Sequence, residues 1–383
     1  MEQLQRFAAQ PDAEIHLYSQ CVRDLLVSRY PARIPGQVIW HRIPRAPGPH
    51  LLGYLWWFVA NRFRRWLDAH FHGLKFDLLY SPGVNAPDAD VISVHIVFAA
   101  FYAQVRSKLR LRDAPVSRWP LLLHRRLYYL LISELERRIY PARRVALTTI
   151  SRHAADRIHD LLGRIDVKVI RYGVDAESFH PRLRTERRAV SRLEFGIHPD
   201  QFCLLFIGND WKNKGLSCLL SSIATLRELK LKLLVVGNDD REPYKDFIRN
   251  ANLEDVIVFH AGSADVLQFY AAADAYVAPS LEDAYGLPIL EAMACGLPVI
   301  ASSHAGASEV VCHAINGMIL REPENAVEFA ALIRQLYSNR DLCERLGREG
   351  RATAEQETWD RNAAQMWEFL QEAARQKAQS RRS

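Results

Sequence analysis

From residue 200 onward the chain alternates short apolar runs with longer helical stretches: FCLLFIG, LSCLLSSIATLREL, LKLLVVG, DVIVFH, AYVAPS, LPILEAMACG and LPVIAS. Strands this uniformly apolar are buried on both faces, as in a parallel sheet covered by helices on each side. This half is therefore expected to be a doubly wound α/β domain. Ligands in such folds bind at the carboxyl ends of the strands, where Gly or Pro lets the chain turn tightly. Functional residues are expected at 208–215, 237–241 and 280–287.

The first half is less regular but offers strands at EIHLYS, QVIWHRI, FDLLYSPG, DVISVH, RRVALTTIS and VKVIRYG. It reads as a second Rossmann-like domain, in keeping with 383 residues, more than one core usually serves. The charged, proline-containing stretch 175–200 lacks a strand pattern until its end and is expected to hold the domain boundary. The reading is thus an N-terminal domain over 1–177, a linker over 178–196, a second domain over 197–356, and a C-terminal helix over 357–383 that packs back on the first domain and ends in a frayed basic tail. A doubly wound domain normally opens with a strand and a Gly-rich turn, whereas this chain opens with the helix-like MEQLQRFAAQ. Either the first domain is abbreviated or the start has been placed too late.

Lys and Arg outnumber Asp and Glu by 50 to 44, a mild excess compatible with an anionic partner but equally with an ordinary soluble enzyme. The cysteines at 21, 203, 218, 295, 312 and 343 form no C-x-x-C pair and read as reduced and buried. The N-terminus lacks the apolar core of a signal peptide, and LLGYLWWFVA at 51–60 is too short to span a bilayer. A cytoplasmic protein is expected, with peripheral membrane contact as the further reading.

In Asp283-Ala-Tyr-Gly-Leu-Pro-Ile-Leu-Glu291 a glycine-containing turn follows the first carboxylate and a helix carries the second. A helix starting near Leu287 would aim its free N–H groups and positive dipole end at a diphosphate in front of 284–287. Glu291 would then lie one turn inside, and Asp283 could accept hydrogen bonds from sugar hydroxyls. The plainer alternative is that Asp283 caps the helix and Glu291 solvates its face.

The whole segment PSLEDAYGLPILEAMACGLPVIAS resembles the donor-site block of the retaining glycosyltransferase family 4, P-S-x-x-E-x-F-G-L-x-x-L-E-A-M-A-x-G-x-P-V-I-A, departing from it at Asp283 and Tyr285. VKVIRYGVDAESFHP is similar to that family's interdomain block, and LLFIGNDWKNKGLSCLL to its strand-end lysine block. The Gly208-to-Gly215 form of the latter also resembles bacterial lipopolysaccharide-core glucosyltransferases. The resemblance implies a GT-B fold, two Rossmann-like domains facing a central cleft, and metal-independent transfer of a hexose-type sugar from a nucleotide-diphosphate sugar without a cofactor. It implies sugar contact for Asp283, ribose contact for Glu291, and phosphate contact by backbone N–H groups around Tyr285, Gly286 and Leu287. Lys214 would offset charge on the leaving diphosphate, with Gly208 and Asn209 beside it and Lys212 as a second cation. A solvated lysine at a helix start is the plainer reading of Lys214.

His95 ends a strand of the first domain, where the resemblance implies either contact with the transferred sugar or a structural role. Ser151 is expected to cap a helix. The stretch 104–144, rich in Arg, Leu and aromatic residues, is either a solvated helical face over a buried stripe or a surface resting on anionic lipid. No nucleic-acid recognition module is visible. The partners expected are a nucleotide-sugar donor and a cell-envelope glycan or lipid-linked acceptor. A non-catalytic nucleotide-sugar binder, a truncated pseudoenzyme and a nucleotide-sugar epimerase are the rival readings.

Overall fold

The computed structural model describes residues 2–11, 13–23, 25–29, 34, 36–106, 115–263 and 265–381. The chain divides into two units, Met1–Ile170 with Asn362–Ser383, and Arg171–Arg361.

The first unit runs through α1 (Glu2–Ala8), β1 (His16–Ser19), β2 (Val27–Arg29), β3 (Val38–Arg42), α2 (His50–Phe71), β4 (Tyr80–Pro82), β5 (Val91–Val94), α3 (Phe98–Val105), α4 (Trp119–Ile139), β6 (Ala146–Thr149), α5 (Arg152–Leu162) and β7 (Val167–Val169). Its strands form two parallel sheets, ordered β1–β3–β2 and β4–β5–β6–β7. Ile92, Val94, Leu147, Ile132 and Tyr140 fill one core between the second sheet and α4. Ser151 caps α5 by accepting the Ala154 N–H at 3.2 Å.

The second unit continues with α6 (Arg182–Glu194), β8 (Phe202–Ile207), α7 (Leu216–Ala224), β9 (Leu231–Val236), α8 (Glu242–Asn250), β10 (Ile257–His260), α9 (Leu267–Ala272), β11 (Ala275–Ala278), α10 (Leu287–Ala294), β12 (Val299–Ser302), β13 (Met318–Leu320), α11 (Ala326–Ser338) and α12 (Arg340–Ala354). One parallel sheet of order β10–β9–β8–β11–β12–β13 runs through it. Its central strands are fully buried, as their apolar runs require: Leu204, Leu205, Leu233, Leu234, Val277 and Ile300 are all at 0% exposure. The final helix, α13 (Trp359–Ser380), returns to the first unit from Asn362 on. There Ala363, Met366 and Leu370 pack with Phe7, Val91 and Ile170, and Lys377 pairs with Asp90 at 2.7 Å.

Four expectations need correction. The first unit ends at Ile170 rather than 177, and its described strands form two sheets instead of one. The stretch 178–196 is not a linker, because most of it is α6, built into the second unit. Arg184, Arg188 and Arg192 recur every four residues and so share one helical face. That face meets Asp274, with Arg188 at 2.6 Å, Arg192 at 3.0 Å and Arg184 at 3.5 Å. Arg192, 4% exposed, also donates to the carbonyls of Ala272, His198 and Gln201. Finally, Cys21 and Cys312 are exposed, while Cys203, Cys218 and Cys295 are buried.

Removing the carboxylate from this cluster strands buried cationic charge, which costs about 3–5 kcal/mol. Asp274→Ala is expected to lose most of that amount in urea unfolding, and a loss below about 1 kcal/mol would show that the arginine face is held by backbone carbonyls alone.

Candidate functional site

The chain leaves β8 through β9 to β10 on one side, then returns to β11 on the other side of β8. Loops leaving the carboxyl ends of β8 and β11 therefore diverge, and the crevice between them is where such sheets bind ligands. The loops at 208–215, 237–241 and 279–286 gather around this point.

Hydrogen bonds stitch the three loops together. Asn209 Oδ1 accepts the Asn238 N–H at 2.8 Å, and the Asp239 carboxylate accepts the Trp211 N–H at 2.7 Å. The Trp211 indole is fully buried against Phe259, and its Nε1 donates to the Gly208 carbonyl at 2.8 Å. Asn213 Nδ2 donates to the Glu282 carbonyl, and the Asn213 carbonyl accepts the Leu281 N–H, both at 2.7 Å. Gly215, at φ +81°, permits this approach: a Cβ there would lie 1.9 Å from the Pro279 carbonyl oxygen. Lys214 Nζ thereby meets the Asp283 carboxylate in an ion pair whose side chains are 24% and 15% exposed.

Helix α10 begins directly behind Asp283. Gly286 turns the chain at φ +87°, and a proline in the first turn suits a helix start. The N–H groups that open a helix have no acceptor one turn back, and they point out of it with its positive dipole end; here these are Gly286 and Leu287, since Ile289 already donates to the Gly286 carbonyl at 2.9 Å. Of the backbone groups expected to meet phosphate, the Tyr285 N–H instead donates to Asp283 Oδ1 at 3.3 Å, which leaves that role to Gly286 and Leu287. The Tyr285 ring is buried, and its hydroxyl donates to the Tyr172 carbonyl at 2.9 Å. Glu291 lies one turn inside α10, its carboxylate accepting the Tyr270 hydroxyl at 2.5 Å. Burial holds Glu291 above the usual carboxylate range, with the Tyr270 bond opposing. A cation, a carboxylate beside it, a helix N-terminus and a second carboxylate behind can between them take a diphosphate and the hydroxyls on either side of it.

Residues 188–353 match the family described as glycosyl transferases group 1. The chain is 30% identical over 201 residues to the D-inositol 3-phosphate glycosyltransferase of Pseudarthrobacter chlorophenolicus, covering 50% of this chain and 47% of that protein. It thus spans about half the length of this curated relative. The solved structure of WaaG, a glycosyltransferase involved in lipopolysaccharide biosynthesis, superposes with a TM-score of 0.71 at 18% identity, over 96% of this chain and 94% of that one. HepE of Anabaena, solved in complex with UDP-glucose, superposes with a TM-score of 0.64 at 20% identity, over 88% and 87%. The chain has the GT-B fold.

Within the second unit the structure brings together Gly208, Asn209, Lys214, Asp283, Tyr285, Gly286, Leu287 and Glu291, with Lys212 exposed on the same loop. Gly208 and Asn209 serve there as loop ties. His95 belongs to the first unit, directly after β5, with its Nε2 3.1 Å from Ser93 Oγ. Burial lowers its pKa, which favours the neutral imidazole. Sequence reasoning missed Trp211, Asn213, Asp239 and Tyr270. The first three lie in loops that the strand-end rule had singled out, whereas Tyr270 has no local signal. It also missed Glu136, whose buried carboxylate accepts the Phe98 and Ala99 N–H groups at 2.9 and 2.8 Å, caps α3 just after His95, and is raised to about 7 by burial.

Glu291 places a cost on the fold whose sign can be measured. Its folded-state pKa lies above the ordinary 4.5, so between those values the folded chain holds an extra proton and stability falls as pH rises. Above the raised value the desolvation cost is complete. Glu291→Gln keeps an oxygen for the Tyr270 hydroxyl and removes the charge. It is expected to unfold at higher urea than the unsubstituted chain near pH 8, with the advantage shrinking as pH falls towards 4.5; a variant less stable at pH 8 would contradict this account.

Proposed function

We propose that this chain is a retaining hexosyltransferase, moving a sugar from a nucleotide-diphosphate sugar to a cell-envelope glycan or lipid-linked acceptor. The observation that carries the reading is the Lys214–Asp283 pair, set at the switch point of the sheet and in front of the α10 N-terminus, with Glu291 one turn behind. The group 1 match, the curated glycosyltransferase relative and the UDP-glucose bound by HepE support the donor; the role of WaaG supports the envelope acceptor.

In this mechanism the diphosphate displaces Asp283 from part of its contact with Lys214, and Asp283 turns to sugar hydroxyls. The bond from the anomeric carbon to phosphate oxygen breaks first, through an oxocarbenium-like state. Lys214 and the α10 N-terminus stabilise the charge left on the diphosphate, in the place a metal ion would otherwise take, with Lys212 as a second cation. The acceptor oxygen bonds to the anomeric carbon on the face just vacated, and its proton passes to the departing phosphate oxygen. No side-chain nucleophile is needed, unlike in the two-carboxylate glycosidase scheme. Glu291 holds the ribose.

The acceptor's setting is read from the first unit. Leu52, Leu55, Trp56, Val59, Phe63 and Trp66 are exposed along α2 at helical spacing, and Leu123, Leu127 and Leu130 along α4, with Arg62, Arg125 and Arg126 among them. The two helices touch through His50, Tyr54 and Tyr128. Apolar stripes flanked by arginine suit the interface of an anionic bilayer. No helix among the described residues is long and apolar enough to cross one. The basic run SKLRLR lies outside the described residues.

Two measurements test the reading. In a screen of nucleotide sugars the chain is expected to hydrolyse or transfer at least one, with Lys214→Ala and Glu291→Ala each about 100-fold slower. Turnover of none, or variants as fast as the parent, would overturn the donor assignment. The chain is also expected to sediment with phosphatidylcholine vesicles containing phosphatidylglycerol, and V59E/F63E to sediment several-fold less; equal sedimentation would remove the membrane from the proposal.

A further inference from the structure

Gln20, Cys21, Arg23, Arg42, Pro44 and Arg45 line an open cavity of about 780 Å³ in the first unit. Its position follows from the parallel pairing of β1 with β3, where Ser19 stands opposite Arg42. Residues 20–23 and 42–45 therefore leave the sheet side by side at its carboxyl end, the end at which parallel sheets bind ligands.

The backbone around the cavity is held, and among the described residues no carboxylate neutralises its charges. Trp40 Nε1 donates to Ser19 Oγ at 3.0 Å, the Ile43 N–H donates to the Ser19 carbonyl at 2.9 Å, and Trp56 Nε1 donates to the Pro44 carbonyl at 2.9 Å. Against this frame Arg23, Arg42 and Arg45 are exposed, and among the described residues none is ion-paired with a carboxylate. Arg45 donates to Cys21 Sγ at 3.3 Å. Other arginines of the unit do have such partners: Arg64 has Asp68, Arg65 has Asp88 and Arg164 has Asp166.

Three guanidinium groups around one space repel one another and offer many donors with no acceptor. A neutral sugar relieves none of that repulsion, and a single carboxylate offsets only one charge. A phosphate monoester carries about −1.5 to −2 at neutral pH and matches the guanidinium fork bidentately.

We infer that this cavity is a subsite for a phosphoryl group of the acceptor, which is then a sugar phosphate or a phosphorylated lipid. That the bound molecule is an acceptor rests on the transfer reading above; that it is a phosphoryl anion rests on the three arginines alone.

The test titrates inorganic pyrophosphate calorimetrically into the Lys214→Ala chain, so that the proposed donor site contributes little. Combining R23Q, R42Q and R45Q in that background is expected to weaken binding about tenfold or more, with binding in the parent falling as salt is added. Thermal unfolding of the combined variant shows whether the fold is kept, and Arg42→Lys alone, which keeps the charge, is expected to retain most of the affinity. Equal affinity with and without the three arginines overturns the subsite.

Two further arms separate the sources. Competition by glucose 6-phosphate that depends on the arginines marks a soluble sugar phosphate. An arginine-dependent preference for phosphatidic acid over phosphatidylglycerol vesicles marks a lipid monoester. The absence of both effects overturns the acceptor assignment. The donor reading fails separately, on nucleotide-sugar turnover by the unsubstituted chain.

Discussion

Two backbone-directed hydrogen bonds of Asn213, one to the Glu282 carbonyl and one from the Leu281 N–H, set the distance between the loop after β8 and the loop after β11. Loops at strand ends are ordinarily the most mobile part of an α/β unit. Here the interval is fixed by main-chain geometry, and Lys214 and Asp283 inherit it. Trp211 secures the same loop from below, with its indole in the core and its amide on Asp239. Charged groups held this way need little reorganisation when a ligand arrives, which is the condition under which electrostatic stabilisation is largest.

The electrostatics of the site are arranged in depth. At the front, Lys214 and Asp283 satisfy each other and remain partly solvated, so their unliganded state is inexpensive. Further back, Glu291 is half-buried, with the Tyr270 hydroxyl as its partner and its pKa raised by desolvation, a placement the fold alone does not favour. Such opposed environments for two carboxylates of one segment are common where function, rather than stability, selects the residue.

Much of this was legible in the residues. The strands β8, β9, β11 and β12 announced themselves because a strand buried on both faces needs an unbroken apolar run. The start of α10 was legible from Gly286 and Pro288, whose backbone preferences point the same way. β2 and β13, three residues each, are too short to carry a period. The misreading of α6 has a physical cause. A run rich in arginine ordinarily faces water, and the four-residue spacing of Arg184, Arg188 and Arg192 becomes meaningful only once Asp274, about eighty residues further on, is known to face it. Tyr270 and Glu136 were hidden likewise, since a partner that meets its residue only through tertiary packing leaves no local trace. The split of the first unit into two sheets was equally invisible, because pairing between strands is not written within any one of them.

Gly215 carries a consequence for genetics. Its backbone angle and the Pro279 oxygen 1.9 Å from where a side chain would begin leave no room for any other residue. Every missense allele at that codon pushes the two loops apart and separates Lys214 from Asp283. In a screen for loss of activity such alleles would cluster with those of Lys214 next door, although the glycine has no side chain to offer a substrate. An allele map of this segment therefore records where the backbone is crowded as faithfully as where the chemistry lies.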